Sequence, residues 1–424
     1  MISVVVVFFY YIFSRRITIE PTCIVQTKIK TFLILKLILQ LPFPVIGSLN
    51  GVHMFGSSHG VSLQSTTTDD AKIVWKVFHE SITLIAVSQD DDADDCHMNN
   101  LLNLIASALV LLCGIDEVSN IKNVERFKKE VKVCMQLVDR ILESPETSGF
   151  SQLTNAVDII CAPENAILQN FLDAFAEAAE SGFGCLFVER KVCVATKKWW
   201  SMSANELVLL NLLLTSLTPC SSRDIPVFLP DTQPAIPHRL MTFELTRNIE
   251  VCVICGPSPS LAELEPEVVR FWKPAYDSLR TVGRLSPRNF PTNIALDHNL
   301  LGFLLVNKET NRCLHSVNPS LEDPSHLGET LSIHQRKEVL KTFYKKMVGN
   351  FFASSVSGSE MGPAEFSHQP MESYITTETH KCYTLQSGPY QIFTLYTDSI
   401  PTYAMRSVTQ RTLSYLTKDK NVSV

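Results

Sequence analysis

Residues Cys185–Leu217, CLFVERKVCVATKKWWSMSANELVLLNLLLTSL, hold the pattern that decides the fold. Cys185–Glu189 and Val192–Thr196 are short β-branched and apolar segments, which predicts two strands joined by Arg190-Lys191. Ser203-Ala204-Asn205-Glu206 then places a serine three residues before a glutamate at the head of an apolar run. That is a capping box, in which each side chain satisfies the other residue's free backbone N–H. The helix it opens runs through Leu217. Its apolar run Leu207–Leu217 is too broad for a one-faced helix and suits burial between modules or against a partner.

Outward from this core, Ile225–Leu229, Arg239–Leu245 and Glu250–Ile254 read as three more strands. Cys255-Gly256-Pro257 breaks the pattern. A helical stretch follows at Leu261–Leu279, with Pro266 and Pro274 limiting its regularity. The same order recurs downstream. Leu300–Val306 and Arg312–Val317 form a hairpin-like pair, and Ser332-Ile333-His334-Gln335 is a second capping box in the corresponding place. The following helix carries Val339, Leu340, Phe343, Tyr344 and Met347 on one side. Glu372–Thr377, Lys381–Leu385 and Gln391–Thr397 are strand candidates, and Thr402–Leu416 is the closing helix. Ala353–Gln369, rich in Ser and Gly, reads as a loop.

The N-terminal third fits the order in shortened form. Leu41–Gly56, LPFPVIGSLNGVHMFG, is a helix that Pro42 and Pro44 can open. Ile46, Leu49, Val52 and Phe55 recur three apart as an apolar stripe. Gly47 and Gly51 each weaken a helix by about 1 kcal/mol against alanine, so a second backbone is expected close to them. Val61–Ser65, Ile73–Phe78 and Ile82–Ser88 are strands, and Met98–Gly114 and Asn123–Leu142 are helices. Asn165–Glu180 is a bridging helix. The expected organisation is an atypical segment over 1–40, a first domain over 41–160, a second with its leading linker helix over 161–288, and a third over 289–424. Each domain is of ordinary size, and the repeat sets the whole fold.

The chain has 424 residues, 45% apolar and 19% charged, which supports packed cores and argues against global disorder. Its formal net charge of −6 argues against a nucleic-acid footprint. Twelve cysteines without regular spacing read as reduced thiols in a cytoplasmic protein. Met1–Phe13 and Thr31–Leu41 are apolar runs, each short of the roughly 18–20 residues that span a bilayer. Arg15 and Arg16 follow the first run, whereas a secretory signal carries its charge in front.

Candidate chemistry is sparse. Cys252-Val253-Ile254-Cys255 is a lone C-x-x-C. On a regular strand its two thiols face opposite ways, so strand cysteines are expected rather than a redox or zinc pair. Asp90, Asp91, Asp92, Asp94 and Asp95 form an acidic run without the glycine and glutamate of a calcium loop, hence a solvated loop beside a helix N-terminus or a contact for a basic partner. Lys197-Lys198-Trp199-Trp200 suits either a lipid headgroup layer or the edge of its own sheet. Lys122, Arg126, Lys128, Lys129 and Lys132 alternate with Glu125 and Glu130 as a solvent face. His53, His59, His79 and His97 show no metal spacing, and neither nucleotide-loop nor hydrolase motifs occur. No catalytic residue, metal or cofactor is expected.

A two-strand, helix, three-strand, helix order resembles the longin fold. Three such units resemble the trilongin family, which includes the Fuzzy, Inturned and Mon–Ccz proteins. Within it, likeness to the Fuzzy branch spans about Leu41 to Leu416. Besides Leu41–Gly56 it is carried by Val74-Trp75-Lys76-Val77-Phe78-His79-Glu80-Ser81-Ile82-Thr83-Leu84-Ile85, Asn120-Ile121-Lys122-Asn123-Val124-Glu125-Arg126, Phe175-Ala176-Glu177-Ala178-Ala179, Pro237-His238-Arg239-Leu240 and Cys255-Gly256-Pro257-Ser258-Pro259. Residues 1–40 depart from the branch, which ordinarily begins with a strand pair.

The resemblance implies an α/β chain of three consecutive longin-like domains, each an antiparallel five-stranded sheet flanked by helices. It implies a planar-cell-polarity effector needed for cilium assembly and vesicle trafficking, located in the cytoplasm, at the cytoskeleton and the cilium basal body. It implies an Inturned-like trilongin partner, a WD-repeat planar-cell-polarity partner, a Rab-type small GTPase as the object of nucleotide exchange, and a phosphoinositide membrane as a further contact. It places Ser48, Asn50, His53 and Phe55, on the helix near the shared interface of longin heterodimers, as partner-binding residues. The alternative is a longin adaptor at membranes without exchange activity.

Overall fold

The computed structural model describes residues 4–10, 23–27, 31–35, 43–88, 95–142, 149–317, 319, 331–352, 370–420, 422 and 424. The acidic positions Asp90–Asp94 and the loop Ala353–Gln369 lie outside the described residues. The chain divides into two compact units. The first comprises 1–144 with 212–218 and 225–239; the second comprises 145–211, 219–224 and 240–424.

In the first unit, β1 (Val4–Tyr10), β2 (Cys23–Thr27) and β3 (Thr31–Leu35) precede α1 (Phe43–Ser58). After α1 come β4 (Ser65–Thr67), β5 (Lys72–Phe78), β6 (Ile82–Ser88), α2 (Asp95–Cys113), α3 (Ile115–Ser119) and α4 (Val124–Leu142). The spatial order is β3-β2-β1-β6-β5-β4. Residues 1–40, set apart on sequence, thus supply three strands of this sheet. The β2–β3 hairpin is antiparallel, and β1 lies between it and β6, parallel to β6. The strand expected at Val61–Ser65 begins only at Ser65. The reason is local: Val61 N–H is taken by Gly56 O at 2.9 Å, closing the end of α1 around Gly60.

Strand β6 is buried along its whole length, because helices cover both faces of the sheet. Leu49 of α1 packs with Leu63, Ile73, Trp75, Ile85 and Val87 on one face. Side chains alternate along a strand, so Leu84 and Ala86 point to the other face, where α2 lies against β5 and β6. Helix α2 stops at Cys113 because Gly114 takes φ +82°. The Phe228 ring, also in this unit, lies 2.9 Å from where a Cβ on Gly114 would sit.

The second unit opens with α5 (Ser151–Thr154), β7 (Val157–Asp158) and α6 (Asn165–Ala178). The second domain continues with β8 (Phe183–Val188), β9 (Lys191–Ala195), α7 (Lys197–Trp200), α8 (Ala204–Ser216), β10 (Ser222–Leu229), β11 (Gln233–Thr246), β12 (Ile249–Cys255), α9 (Leu261–Trp272) and α10 (Tyr276–Gly283). Its sheet order is β10-β11-β12-β8-β9. The tight turn is Glu189-Arg190, one residue earlier than expected, with φ of 49° and 64°. Positive φ at both central residues matches the twist of a two-residue hairpin. The capping box is built as expected: Ser203 N–H donates to Glu206 Oε2 and Glu206 N–H to Ser203 Oγ, each at 3.1 Å. Strand β11 starts six residues before the expected Arg239 and runs through Pro234 and Pro237.

The third domain holds β13 (Leu300–Asn307), β14 (Arg312–Ser316), α11 (Ile333–Asn350), β15 (Glu372–Thr376), β16 (His380–Ser387), β17 (Tyr390–Thr397) and α12 (Thr402–Lys418). Its order β15-β16-β17-β13-β14-β7 repeats the second domain's and adds β7 at the edge. The Ser332–Gln335 capping box opens α11. In both domains the first strand runs antiparallel to the fifth.

The segment around β7 stitches these two sheets. Val157 and Ile159 N–H donate to Asn311 O and Cys313 O at 2.8 and 2.9 Å, while Ile160 N–H donates to Val192 O at 3.0 Å. Asp158, 4% exposed, pins the segment. Its Oδ2 accepts from the N–H groups of Phe150 (3.0 Å) and Ser151 (3.4 Å), and its Oδ1 from Cys313 Sγ at 3.0 Å. His315 Nδ1 lies 3.2 Å from Oδ1. Burial alone would raise the Asp158 carboxyl, but His315 and these donors hold it well below the usual carboxylate range.

Replacing Asp158 by alanine strands two buried N–H groups, so Asp158→Ala is expected to lower unfolding free energy by about 3 kcal/mol in urea titration. Gly114→Ala is strained by both φ and the Phe228 ring and is expected to lose roughly 2 kcal/mol by the same measurement.

Candidate functional site

Helix α1 presents two different faces. Asn50 and His53, 5% and 9% exposed, turn inward with Leu49. Ser48, Gly51, Val52 and Phe55 turn outward, with Val52 54% and Phe55 68% exposed. The four predicted binding residues are therefore divided: Ser48 and Phe55 lie on the open face, Asn50 and His53 beneath it. The Ile46 side chain lies outside the described ones. A spacing of three falls short of the 3.6-residue turn, so a row of three such steps drifts by about 180° around a helix. That is why Leu49 packs inward while Val52 and Phe55, on the same expected stripe, do not.

The open face is shaped by its small residues. Gly47, Gly51 and Phe55 fall on one i, i+4, i+8 row, with Ser48 and Val52 on the row beside it. A Cβ added at Gly47 or Gly51 would meet nothing within 4 Å. The neighbouring backbone expected beside the glycines is absent from this chain's described residues. The Ser48 hydroxyl donates to Pro44 O at 2.8 Å, and Phe55 stacks on His59 with ring centroids 4.4 Å apart. Beneath, Asn50 Nδ2 reaches Met54 Sδ at 3.4 Å, while Asn50 Oδ1 and His53 Nδ1 find no hydrogen-bond partner among the described residues. Burial lowers the pKa of His53.

The other candidates resolve into structure. Cys255 packs with Val251 and Val253 in the second domain's core, whereas Cys252 faces the other side opposite Cys185. Asp95 opens α2 and pairs with Lys72 Nζ at 2.9 Å. Lys197–Trp200 is the short helix α7: Trp199 is buried against Phe187, and Trp200 lies under the Arg312 guanidinium, 3.9 Å from its ring centroid. Both indoles thus pack against side chains of the protein. On α4, Arg126 pairs with Glu117 and Glu130, and Lys128 with Glu125, each at 2.8 Å. Among the described residues, no three His, Cys, Asp or Glu side chains could hold a metal ion, and no helix is long and apolar enough to cross a membrane.

The Asp158 cluster is hard to read from sequence, since Val157-Asp158-Ile159-Ile160 looks like an ordinary apolar strand with one stray carboxylate. A carboxylate inside such a run was the only signal. The cluster holds a carboxylate, a thiol and an imidazole, but all three are buried, and its geometry serves to join two sheets.

The second and third domains each hold two strands, a helix, three strands and a helix with the first and fifth strands adjacent, the longin order; the first unit instead sets three strands before its helix and runs β1 parallel to β6. Residues 12–141, 179–273 and 299–420 match the family models for the first, second and third Longin domains of FUZ, MON1 and HPS1. The chain is 42% identical to the protein fuzzy homolog of Xenopus tropicalis over 389 residues, covering 90% of this chain and 93% of that protein. It is 39% identical to the human protein fuzzy homolog over 393 residues, covering 89% and 91%. The chain belongs to the Fuzzy family.

Folding keeps His53 neutral, so the folded state binds fewer protons than the unfolded chain near the ordinary histidine pKa of about 6.5. Its contribution is complete above that value and is lost on acidification. The thermal midpoint is expected to fall between about pH 7 and pH 5, and His53→Leu to flatten part of that slope in scanning calorimetry.

Proposed function

We propose that this chain works by binding, as one half of a trilongin heterodimer with an Inturned-like partner, and that the pair promotes nucleotide exchange on a Rab-type GTPase. The observation that carries this reading is the open face of α1. Exposed Val52 and Phe55 beside two glycines with free space above them form a surface suited to close backbone approach. Ser48 and Phe55 make the contact; Asn50 and His53 support it from below. Family membership supports the same reading, and with it a role as planar-cell-polarity effector in cilium assembly and vesicle trafficking, at the basal body, with a WD-repeat partner.

Exchange needs no covalent chemistry. A factor that binds the nucleotide-free GTPase more tightly than the loaded form shifts the population toward release, and only that difference in affinity drives it. The adaptor alternative, which uses lipid contact through Lys197–Trp200 and the N-terminal apolar runs, is disfavoured by the burial of Trp199, the stacking of Trp200 on Arg312 and the pairing of the runs' described residues as strands β1 and β3.

The test is co-expression with an Inturned-like partner and measurement of labelled GDP release from the matching GTPase; no acceleration over the partner alone refutes the exchange role. Gly51→Leu separates folding from docking. It fills open space on a helix, so stability is expected to hold or rise by roughly 0.5–1 kcal/mol. Partner affinity is expected to fall at least about tenfold by titration calorimetry.

A further inference from the structure

Cys113 and Cys134 bring their sulfurs to 3.5 Å in the first unit. Cys113 is the last residue of α2 and is half-buried; Cys134 sits within α4 and is fully buried. Cys185 and Cys252 also face each other, across β8 and β12, but both are closed off from solvent. Cys220 is exposed and has a backbone carbonyl, not a second thiol, as its partner. The pair on α2 and α4 therefore combines two sulfurs in contact with a route to solvent through Cys113.

A disulfide needs its sulfurs at about 2.05 Å, so this pair must close by roughly 1.5 Å. Cys113 is the last residue of α2, directly before Gly114 at φ +82°, so the pair joins the end of one helix to the interior of another.

We propose that Cys113 and Cys134 form a peroxide-oxidisable dithiol that closes to a disulfide between α2 and α4. In the first step the Cys113 sulfur attacks hydrogen peroxide. An S–O bond forms, the O–O bond breaks, and the departing hydroxide takes up the thiol proton as water, leaving Cys113 as a sulfenic acid oxidised by two electrons. In the second step the Cys134 sulfur attacks the Cys113 sulfur. The S–S bond forms, the S–O bond breaks, and hydroxide leaves as water with the Cys134 proton. Two thiols and one peroxide give one disulfide and two waters. The neighbouring Cys113 sulfur and burial push the Cys134 thiol well up, which assigns the first step to Cys113 and the resolving step to Cys134.

The test uses the full chain, treated with a slight excess of hydrogen peroxide, alkylated in denaturant and mapped by mass spectrometry. The expected product is a Cys113–Cys134 linked peptide, about 2 Da lighter than the sum of the two thiol peptides and reversed by dithiothreitol. In Cys134→Ser the sulfenic acid persists and is trapped by dimedone at Cys113. Two results overturn the proposal: both cysteines still alkylated after Cys220 has been oxidised, or Cys113 carried on to sulfinic acid while Cys134 stays alkylatable. The wild-type map decides the matter even where Cys134→Ser folds poorly.

Discussion

The second and third domains depend on one shared strand. Around β7, successive backbone N–H groups bond to different sheets, Val157 and Ile159 to β14 and Ile160 to the Val192 carbonyl of β9. An isolated sheet edge carries a row of unpaired donors and acceptors. Here one extended segment covers two such edges and makes the two domains neighbours in a single hydrogen-bonded system. The buried Asp158 carboxylate fixes the segment's position by gathering the Phe150 and Ser151 N–H groups and the Cys313 thiol. Gly149 belongs to the same joint, since a Cβ there would stand 2.1 Å from the carboxylate.

Local rules made much of the fold legible. The boxes at Ser203–Glu206 and Ser332–Gln335 start helices where their side chains say they should, because a cap is satisfied by residues three apart and needs no tertiary context. A third box, Ser260–Glu263, opens α9 by the same rule. Local pattern fails where distant residues decide. Strand β11 continues through two prolines that locally argue for a turn. The Asp158 joint unites residues more than 150 positions apart, and nothing in the local pattern of either segment names the other.

Helix α1 shows how a short motif can be recognisable while its geometry is not. Its residues point to the Fuzzy family, yet a three-residue repeat cannot stay on one side of an α-helix, and the stripe splits between core and solvent. Leu49, Asn50 and His53 face inward, and the glycines and Phe55 remain outside. The inner face sets polar Asn50 and His53 over the Trp75–Ile85–Val87 cluster, and Asn50 Oδ1 and His53 Nδ1 find no hydrogen-bond partner among the described residues.

The shared strand also has a consequence in time. A ribosome adds about 5–20 residues per second. Cys313, whose thiol and carbonyl complete the joint, emerges 155 positions after Asp158. For roughly 8–30 s, then, the β14-facing side of the β7 segment and the Asp158 Oδ1 atom stand without the strand and thiol that match them. The joint is a late event of synthesis, completed only when β14 arrives.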